Sequence, residues 1–156
     1  MISVGDQAPD VAFEGPGGRQ TTLAAWGGKP LVLYFYPKDD TSGCTREAQD
    51  FTALADEFAA AGVALLGVSK DTAKKHKAFT EKYGLKVPLG TDAEGALLEA
   101  FGAWVEKSMY GRKYMGIDRS TFLVDKDGRI AREWRKVKVP GHAQEAWCGT
   151  LASIAL

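Results

Sequence analysis

Residues 31–51 read LVLYFYPKDDTSGCTREAQDF, an apolar run that passes through a polar loop into a helical pattern. Its first six positions are continuously apolar, with aromatic and β-branched side chains, as expected for a central strand covered on both faces. From Thr45 onward the apolar residues fall at helical spacing, and Gly62 ends that pattern. The segment therefore predicts a buried strand, a short loop and an amphipathic helix in direct succession.

Strand and helix patterns alternate along the rest of the chain. Residues 10–23 contain two short strands around the turn signal GPGG, and residues 120–135 contain two more around DKDG. The same patterns predict strands at 63–69 and 87–92 and helices at 72–83, 94–102 and 141–156. Alternating strands and helices followed by an antiparallel pair predict a mixed central sheet flanked by helices on both faces. We therefore predict one domain over residues 1–156, with an α/β, thioredoxin-like fold that opens with an N-terminal β-hairpin.

Composition narrows the class of function. The chain has 156 residues, 45% of them hydrophobic and 26% charged, which are ordinary globular values. Its 20 basic and 20 acidic residues cancel, so neither nucleic acid nor an anionic membrane is predicted as a partner. No apolar run approaches the roughly 20 residues that span a bilayer, and the start lacks the pattern of a signal peptide. Since two cysteines do not make a disulfide framework, we expect a cytoplasmic protein with reduced thiols.

Cys44 stands where the predicted helix begins, directly after Gly43. A helix N-terminus stabilises a thiolate through its dipole and its unpaired N–H groups. Thr41, three residues earlier, is within reach for a hydroxyl contact to the sulfur. Asp39 and Asp40 would oppose a thiolate if they pointed inward, so we expect both to face solvent while a cation elsewhere supplies the favourable field. The pattern indicates a nucleophilic thiol, and an inert buried cysteine is the alternative.

Several stretches of the sequence resemble a known family. Pro37, Thr41 and Cys44 match the P-x-x-x-[TS]-x-x-C signature of the peroxiredoxins. The wider segment 34–51 resembles the bacterioferritin comigratory protein, or peroxiredoxin Q, subfamily. The other matching stretches are GDQAPD at 5–10, GVSKD at 67–71, MYGRKYMGIDRSTFLVDKDG at 109–128 and GHA at 141–143. These matches cover essentially the whole chain in the right order, and the resemblance implies the same thioredoxin-like fold.

The resemblance implies a catalytic role for four residues. Cys44 is the peroxidatic residue, whose thiolate attacks the O–O bond of a hydroperoxide and becomes a sulfenic acid. Thr41 donates or relays a hydrogen bond to the reacting atoms, and Arg119 supplies the fixed cation. Pro37 shields the sulfur from water. From the residues alone, the alternatives are that Thr41 is a turn or capping residue and that Arg119 forms only a surface pair.

Two further residues have supporting roles by the same resemblance. Glu47, one helical turn after Cys44, anchors Arg119 through a carboxylate–guanidinium pair. Gly43 adds its backbone N–H dipole to that of Cys44. The alternative for Glu47 is an exposed helix residue that faces solvent.

The chain departs from the family at the thiol that should resolve the sulfenic acid. In many members that cysteine lies five residues after the peroxidatic one, where this chain has Gln49. A second known location lies in the following helix, where Thr80 aligns with it. Cys148 lies beside Trp147 and Leu151 and is predicted to be a buried structural cysteine. The alternative, that Cys148 resolves the sulfenic acid, would require local unfolding of both helix ends before it could pair with Cys44. We therefore predict a one-cysteine mechanism with an external thiol reductant, such as thioredoxin, glutaredoxin or glutathione.

The predicted function is a thiol-dependent peroxidase for hydrogen peroxide and small organic hydroperoxides. The alternative is a peroxide sensor or thiol-relay protein that passes its oxidation to one partner. A thioredoxin-type disulfide reductase would need C-x-x-C, and position 47 holds Glu47. We expect a monomer, because nothing in the chain resembles the C-terminal extension of obligate two-cysteine dimers.

The remaining histidines and aromatic residues are predicted to be structural. His76 is expected on an exposed helix face among lysines, and His142 is expected to form a local hydrogen bond. Neither has metal-ligand spacing to a cysteine, so no metal and no cofactor are predicted. Trp104, Tyr110 and Tyr114 are expected to pack over the active-site rim or in the core.

Overall fold

The computed structural model describes residues 2–154. Its central sheet contains β1 (Phe13–Glu14), β2 (Gln20–Thr21), β3 (Leu31–Phe35), β4 (Ala64–Ser69), β5 (Leu89–Thr91), β8 (Ser120–Val124) and β9 (Ile130–Trp134). A separate two-stranded ribbon consists of β6 (Trp104–Met109) and β7 (Arg112–Ile117). The helices are α1 (Ser42–Ala60), α2 (Ala73–Tyr83), α3 (Ala96–Ala100) and α4 (His142–Ile154), with a 3-10 turn at Leu23–Trp26. None of the helices within residues 2–154 is long and apolar enough to cross a membrane.

The sheet is mixed, as the sequence predicts, and its strand order is β2-β1-β5-β4-β3-β8-β9. Strand β3 runs parallel to β4 and antiparallel to β8, so it lies in the interior of the sheet. The N-terminal hairpin β1–β2 extends the opposite side through a single antiparallel pairing of β1 with β5. The predicted hairpin at each end of the sheet is therefore confirmed.

Both faces of β3 are buried because helices cover the sheet on both sides. Tyr34 belongs to a core shared with α1, α2 and α4, and its ring stacks on Phe51 with centroids 4.7 Å apart. The neighbouring residue, Phe35, points to the other core and lies 5.3 Å from the ring of Phe101, just after α3. This alternation explains why the strand is apolar at every position rather than at every second one.

Helix α1 begins at Ser42, three residues before the apolar periodicity starts at Thr45. Thr41 is the N-cap residue and has an extended backbone, with φ of −95° and ψ of 156°. The extended backbone of Thr41 marks the start of the helix, although the hydroxyl of this residue does not cap the first N–H groups. Cys44 therefore lies in the first helical turn, as the sequence predicts.

Helix α2 has both of its predicted ends. The hydroxyl of Thr72 accepts a hydrogen bond from the backbone N–H of Lys75 at 3.2 Å and caps the N-terminus. Gly84 ends the helix in the left-handed conformation, with φ of 61°, which glycine adopts without a steric penalty.

The ribbon β6–β7 is absent from the elements predicted from sequence. It turns at Tyr110 and Gly111, both of which have positive φ, as a tight two-residue hairpin turn requires. Tyr110 is 99% exposed and Tyr114 is also exposed, so the expectation that they pack over the rim or the core is wrong. Trp104 is half-buried against the core below the ribbon. Charged residues on both faces of the ribbon hide the alternating pattern that identifies a strand.

Candidate active site

The sulfur of Cys44 lies beneath the guanidinium of Arg119. Cys44 is 1% exposed, and one guanidinium nitrogen of Arg119 donates to its Sγ at 3.4 Å. Arg119 directly precedes β8, and the antiparallel pairing of Phe35 with Ser120 brings it beside the loop that follows β3. Sheet register thus joins two residues that are 75 positions apart in the chain. A fixed cation and a helix N-terminus both favour the thiolate over the thiol.

Glu47 holds the other arm of the same guanidinium. Its Oε1 accepts a hydrogen bond from Arg119 at 2.7 Å, and the side chain is 1% exposed. The exposed-helix alternative for Glu47 is therefore wrong. Burial works against the charge of Arg119, but the charges of Glu47 and Cys44 outweigh it and raise the pKa of the guanidinium above its ordinary value. The guanidinium therefore stays charged, and its contacts with Glu47 and Cys44 fix its orientation.

Gly43 allows the guanidinium to approach this closely. A Cβ at position 43 would lie 3.2 Å from the nearer guanidinium nitrogen of Arg119 and 4.0 Å from a methyl group of Val139. Any larger residue would push Arg119 outward or shift the helix start. Close approach of the cation is therefore a further structural reason for glycine at this position, beside the N–H dipole implied by the resemblance.

The carboxyl of Glu47 is unusual in its second oxygen, Oε2, which is buried and has no hydrogen-bond partner among residues 2–154. Burial raises the pKa of Glu47 to about 7, although Arg119 by itself lowers it. The folded protein therefore holds a proton on Glu47 more tightly than the unfolded chain does. The stabilisation associated with that proton is fully present below about pH 4.5 and is lost as the pH rises to about 7.

A Glu47→Gln variant is expected to remove this pH dependence, because glutamine keeps the shape and the acceptor for Arg119 but does not titrate. Relative to wild type, the free energy of unfolding of the variant should rise by about 2–3 kcal/mol between about pH 5 and pH 8. Urea unfolding of both proteins at the two pH values measures this difference, since all other groups titrate alike in both. A difference that stays constant with pH would contradict the raised pKa.

Thr41 and Pro37 lie at the ends of the loop that leads to Cys44. Both residues are exposed, and the hydroxyl of Thr41 donates to the backbone carbonyl of Lys38 at 2.9 Å. In this conformation the hydroxyl therefore bonds to the loop rather than to the sulfur, contrary to the contact expected from the spacing. The bond to Lys38 keeps the loop tightly folded just before α1, and the catalytic roles of Thr41 and Pro37 stay predictions.

Asp39 and Asp40, in the middle of this loop, have opposite environments. Asp40 is exposed, as expected, and bonds to Lys82 at 2.8 Å and Tyr83 at 2.7 Å on α2. Asp39 is 8% exposed, so the expectation that it faces solvent is wrong. Its carboxylate bonds to His76 at 2.6 Å, and the imidazole offsets the cost of burying the charge.

The prediction of an exposed His76 is wrong for the same reason. The residue is buried on the inner face of α2, with Nδ1 toward Asp39 and Nε2 2.9 Å from the carbonyl oxygen of Gly90. Flanking lysines conceal this face in the sequence. His142 matches its prediction of a hydrogen-bonded residue, with Nε2 2.7 Å from the hydroxyl of Thr121, although the partner lies on β8 and not nearby in the chain.

The positions where relatives carry a resolving cysteine are occupied by side chains that cannot form a disulfide. Gln49 is exposed on α1, and Thr80 is half-buried on α2. Cys148 is exposed, so its prediction as a buried structural cysteine is wrong. The buried side of α4 includes Ala143 and Ala146, and a residue two positions after Ala146 projects to the opposite side of a helix.

Comparison with known proteins gives consistent relationships over nearly the whole chain. Residues 4–133 match the model of the AhpC/TSA family. The chain is 49% identical over 145 residues to Peroxiredoxin Bcp of Bacillus subtilis, which covers 93% of this chain and 92% of the relative. It is 50% identical over 141 residues to Peroxiredoxin Bcp of Xanthomonas campestris, with 88% of each protein covered.

A solved structure of the Xanthomonas campestris bacterioferritin comigratory protein, determined to study its alkyl peroxide reduction activity, superposes with a TM-score of 0.88. It has 46% sequence identity and covers 97% of this chain and 96% of its own. Peroxiredoxin Q of that organism has also been solved as two mutants, each with serine in place of a different cysteine, at positions 36 residues apart. The same interval counted from Cys44 reaches Thr80.

The family match spans more than three quarters of the chain, and the two relatives are about half identical to it over most of their length. The structural neighbours share the thioredoxin-like peroxiredoxin fold with its mixed sheet. The predicted family and fold class are therefore confirmed: the chain belongs to the AhpC/TSA family, among the peroxiredoxins of the Bcp or peroxiredoxin Q type.

Proposed function

We propose that Cys44 is the peroxidatic residue of this thiol peroxidase and that an external thiol regenerates it in a one-cysteine cycle. The observation that carries the assignment is the contact of 3.4 Å between Arg119 and the buried Sγ of Cys44 in the first turn of α1. Substrates are hydrogen peroxide and organic hydroperoxides, in line with the alkyl peroxide reduction of the Xanthomonas campestris relative.

The peroxide step is a displacement at oxygen. The thiolate of Cys44 attacks one oxygen of the hydroperoxide, the new S–O bond forms, and the O–O bond breaks with its electron pair leaving on the distal oxygen. The sulfur is oxidised to a sulfenic acid, and the leaving oxygen takes a proton to become water or an alcohol. Negative charge shifts from sulfur to oxygen during this step, so a preorganised cation such as Arg119 stabilises the transition state as well as the thiolate.

The loop residues complete the proposed site. Thr41 donates or relays a hydrogen bond once its hydroxyl turns from the carbonyl of Lys38 toward a bound peroxide. Pro37, which has no N–H to offer water, shields the reacting sulfur. The backbone N–H groups of Gly43 and Cys44 add their dipoles, since the first N–H groups of a helix have no partner within it.

The position of the remaining thiol supports the one-cysteine cycle. Cys148 is on the solvent side of α4, whereas the opposite side of that helix packs in the core that includes Cys44. A disulfide needs converging side chains, whereas the thiol of Cys148 is exposed and that of Cys44 is buried. With Gln49 and Thr80 at the usual resolving positions, the sulfenic acid has no thiol partner on its own helix or on α2.

One equivalent of peroxide is therefore expected to leave a persistent sulfenic acid at Cys44, and excess peroxide should oxidise it further to sulfinic acid. An added small thiol should capture it as a mixed disulfide and support turnover. Intact mass under native conditions distinguishes these products. A Cys148→Ser variant should give the same product and the same thiol-supported turnover. A loss of two hydrogens, with Cys44 and Cys148 joined in one pair of tryptic peptides, would overturn the one-cysteine cycle.

The reductant, the cellular location and the oligomeric state are also proposals. The reductant is a thiol system such as thioredoxin, glutaredoxin or glutathione, which keeps cysteines reduced in the cytoplasm. We place the protein there as a monomer. Steady peroxide consumption with a general dithiol supports this enzyme, whereas a single turnover that stops would support a sensor or relay.

A further inference from the structure

A buried network connects the loop before Cys44 to helix α2. The carboxylate of Asp39 accepts a hydrogen bond from the hydroxyl of Tyr36 through Oδ1 at 2.6 Å. Its Oδ2 lies 2.6 Å from Nδ1 of His76, and Nε2 of His76 lies 2.9 Å from the carbonyl oxygen of Gly90. Tyr36, Asp39 and His76 are all less than a tenth exposed.

The donors and acceptors in this network are determined by its geometry. A carbonyl oxygen only accepts, so Nε2 of His76 carries a proton that it donates to Gly90. Burial raises the pKa of Tyr36 far above its ordinary value, so its hydroxyl stays protonated and donates to Asp39. The short contact between Asp39 and Nδ1 then requires one more proton between the two groups. His76 is thus bonded at both ring nitrogens and joins the loop to β5.

Asp39 is held from a second side, by the end of β4 and the turn before α2. Its backbone N–H donates to the carboxylate of Asp71 at 2.9 Å, and Ser69 holds the same carboxylate oxygen at 2.7 Å. The next residue, Asp40, has a positive φ of 58°, which is unfavourable for a non-glycine side chain. Such a backbone persists only where its surroundings hold it.

The two steps of the catalytic cycle require different exposure of Cys44. Cys44 is 1% exposed, so a peroxide molecule must enter a covered site, where the cation is effective because water is excluded. A protein dithiol is far larger than a peroxide and must contact the sulfur itself in order to form a mixed disulfide. Whatever covers Cys44 must move for that contact to occur, and loop 37–41 leads directly into the helical turn that carries this residue.

We propose that Asp39 and His76 are a positioning pair that anchors loop 37–41 to α2 and β5 and thereby keeps Cys44 in its covered position, promoting peroxide reduction and slowing reduction of the sulfenic acid by a protein thiol. The proposal rests on Cys44 being the peroxidatic residue. Neither side chain touches the sulfur, and the pair acts through the loop that carries Pro37 and Thr41.

Two variants of His76 separate this role from a merely structural one. In His76→Gln the side-chain amide nitrogen reaches as far as Nε2, so the donor to Gly90 is kept and the donor to Asp39 is lost. In His76→Asn the amide nitrogen lies near the place of Nδ1, so the donor to Asp39 is kept and the one to Gly90 is lost. The two variants remove one contact each and are otherwise matched.

The half-reactions are measured one at a time in the full chain, by single-turnover peroxide consumption and by reduction of the preformed sulfenic acid with a protein dithiol. In His76→Gln the peroxide step should slow about tenfold and the reductive step should accelerate about tenfold, since a charge-assisted contact that favours the closed loop is lost. His76→Asn should stay within about threefold of wild type in both steps. Wild-type rates in His76→Gln, equal slowing of both steps, or failure of His76→Asn to restore them would each overturn the proposal.

A third measurement does not depend on peroxide. In a Cys148→Ser background, the rate of labelling of Cys44 by a bulky maleimide is divided by its rate with iodoacetamide, so that changes in nucleophilicity cancel. The ratio should rise about tenfold in His76→Gln and also in Asp39→Leu, which breaks the same contact from the loop side and covers the case in which one variant does not fold. An unchanged labelling ratio in a folded variant would refute the positioning role of the pair but not the peroxidatic role of Cys44. Absence of peroxide consumption by wild type, with a raised ratio in the variants, would refute the peroxidatic role and leave the hold on the loop intact.

Discussion

Cys44→Ser is expected to lower peroxide consumption by more than about a thousandfold, to the background rate of the assay. A serine hydroxyl is not ionised at neutral pH and does not displace an oxygen from a peroxide, so neither Arg119 nor the helix N-terminus can replace the sulfur. The fold should be retained, because the substitution exchanges one small side chain for another in the first turn of α1. Stopped-flow peroxide consumption, with far-ultraviolet circular dichroism as the check on folding, measures both parts.

Cys148→Ser is the matched control, since it makes the same atomic exchange at an exposed position on α4. Its activity should equal that of wild type. If Cys44→Ser retained activity within a few-fold of wild type, the assignment of Cys44 as the peroxidatic residue would have to be abandoned. Loss of activity in both variants would instead indicate that the second cysteine takes part in the cycle.

Arg119→Met should slow the peroxide step by about tenfold to a hundredfold, which corresponds to losing a charge-assisted contact of about 1.5–3 kcal/mol. Methionine keeps much of the volume of the arginine stem but removes the cation that lies 3.4 Å from the sulfur. Stopped-flow peroxide consumption measures the change in rate. The variant also leaves Glu47 buried without its partner, so folding must be verified in parallel.

Arg46→Met provides the comparison for this variant. Arg46 is also on α1, but its side chain is 70% exposed and pairs only with Asp50 one turn away. Exposed pairs of this kind contribute little, so the rate of the peroxide step in this variant should match that of wild type. If Arg119→Met consumed peroxide at the wild-type rate, the cation would not act on the sulfur as proposed.

The order of most secondary-structure elements and the position of Cys44 at a helix start are predicted by local sequence patterns. The continuous apolar run of β3, the periodic residues of α1 and the glycines after α1 and α2 all depend on neighbours a few positions away. Where local preference and global fold agree in this way, the prediction succeeds. The ribbon β6–β7 was missed because it carries charged and exposed residues on both faces, so that no alternating apolar side marks it.

Some residues of the site can be predicted from the sequence, and others cannot. The signature around Cys44 and the wider resemblance point to Arg119 and Glu47, although only the pairing of β8 with β3 places the guanidinium at the sulfur. Neither a motif nor a residue pattern in the sequence indicates that Asp39 and His76 are buried. Each stands among charged neighbours that are exposed, and the two residues are 37 positions apart.

The sequence by itself determined the fold class, the position of Cys44 at a helix start and the absence of cysteine at positions 49 and 80. The tertiary structure alone decided which charged side chains are buried. Asp39 and His76 are buried because each offsets the desolvation of the other across two elements, and Cys148 is exposed because it lies on the side of α4 that does not pack. Burial of a charged group depends on partners that arrive from elsewhere in the chain, whereas strand and helix patterns depend on neighbours within a few residues.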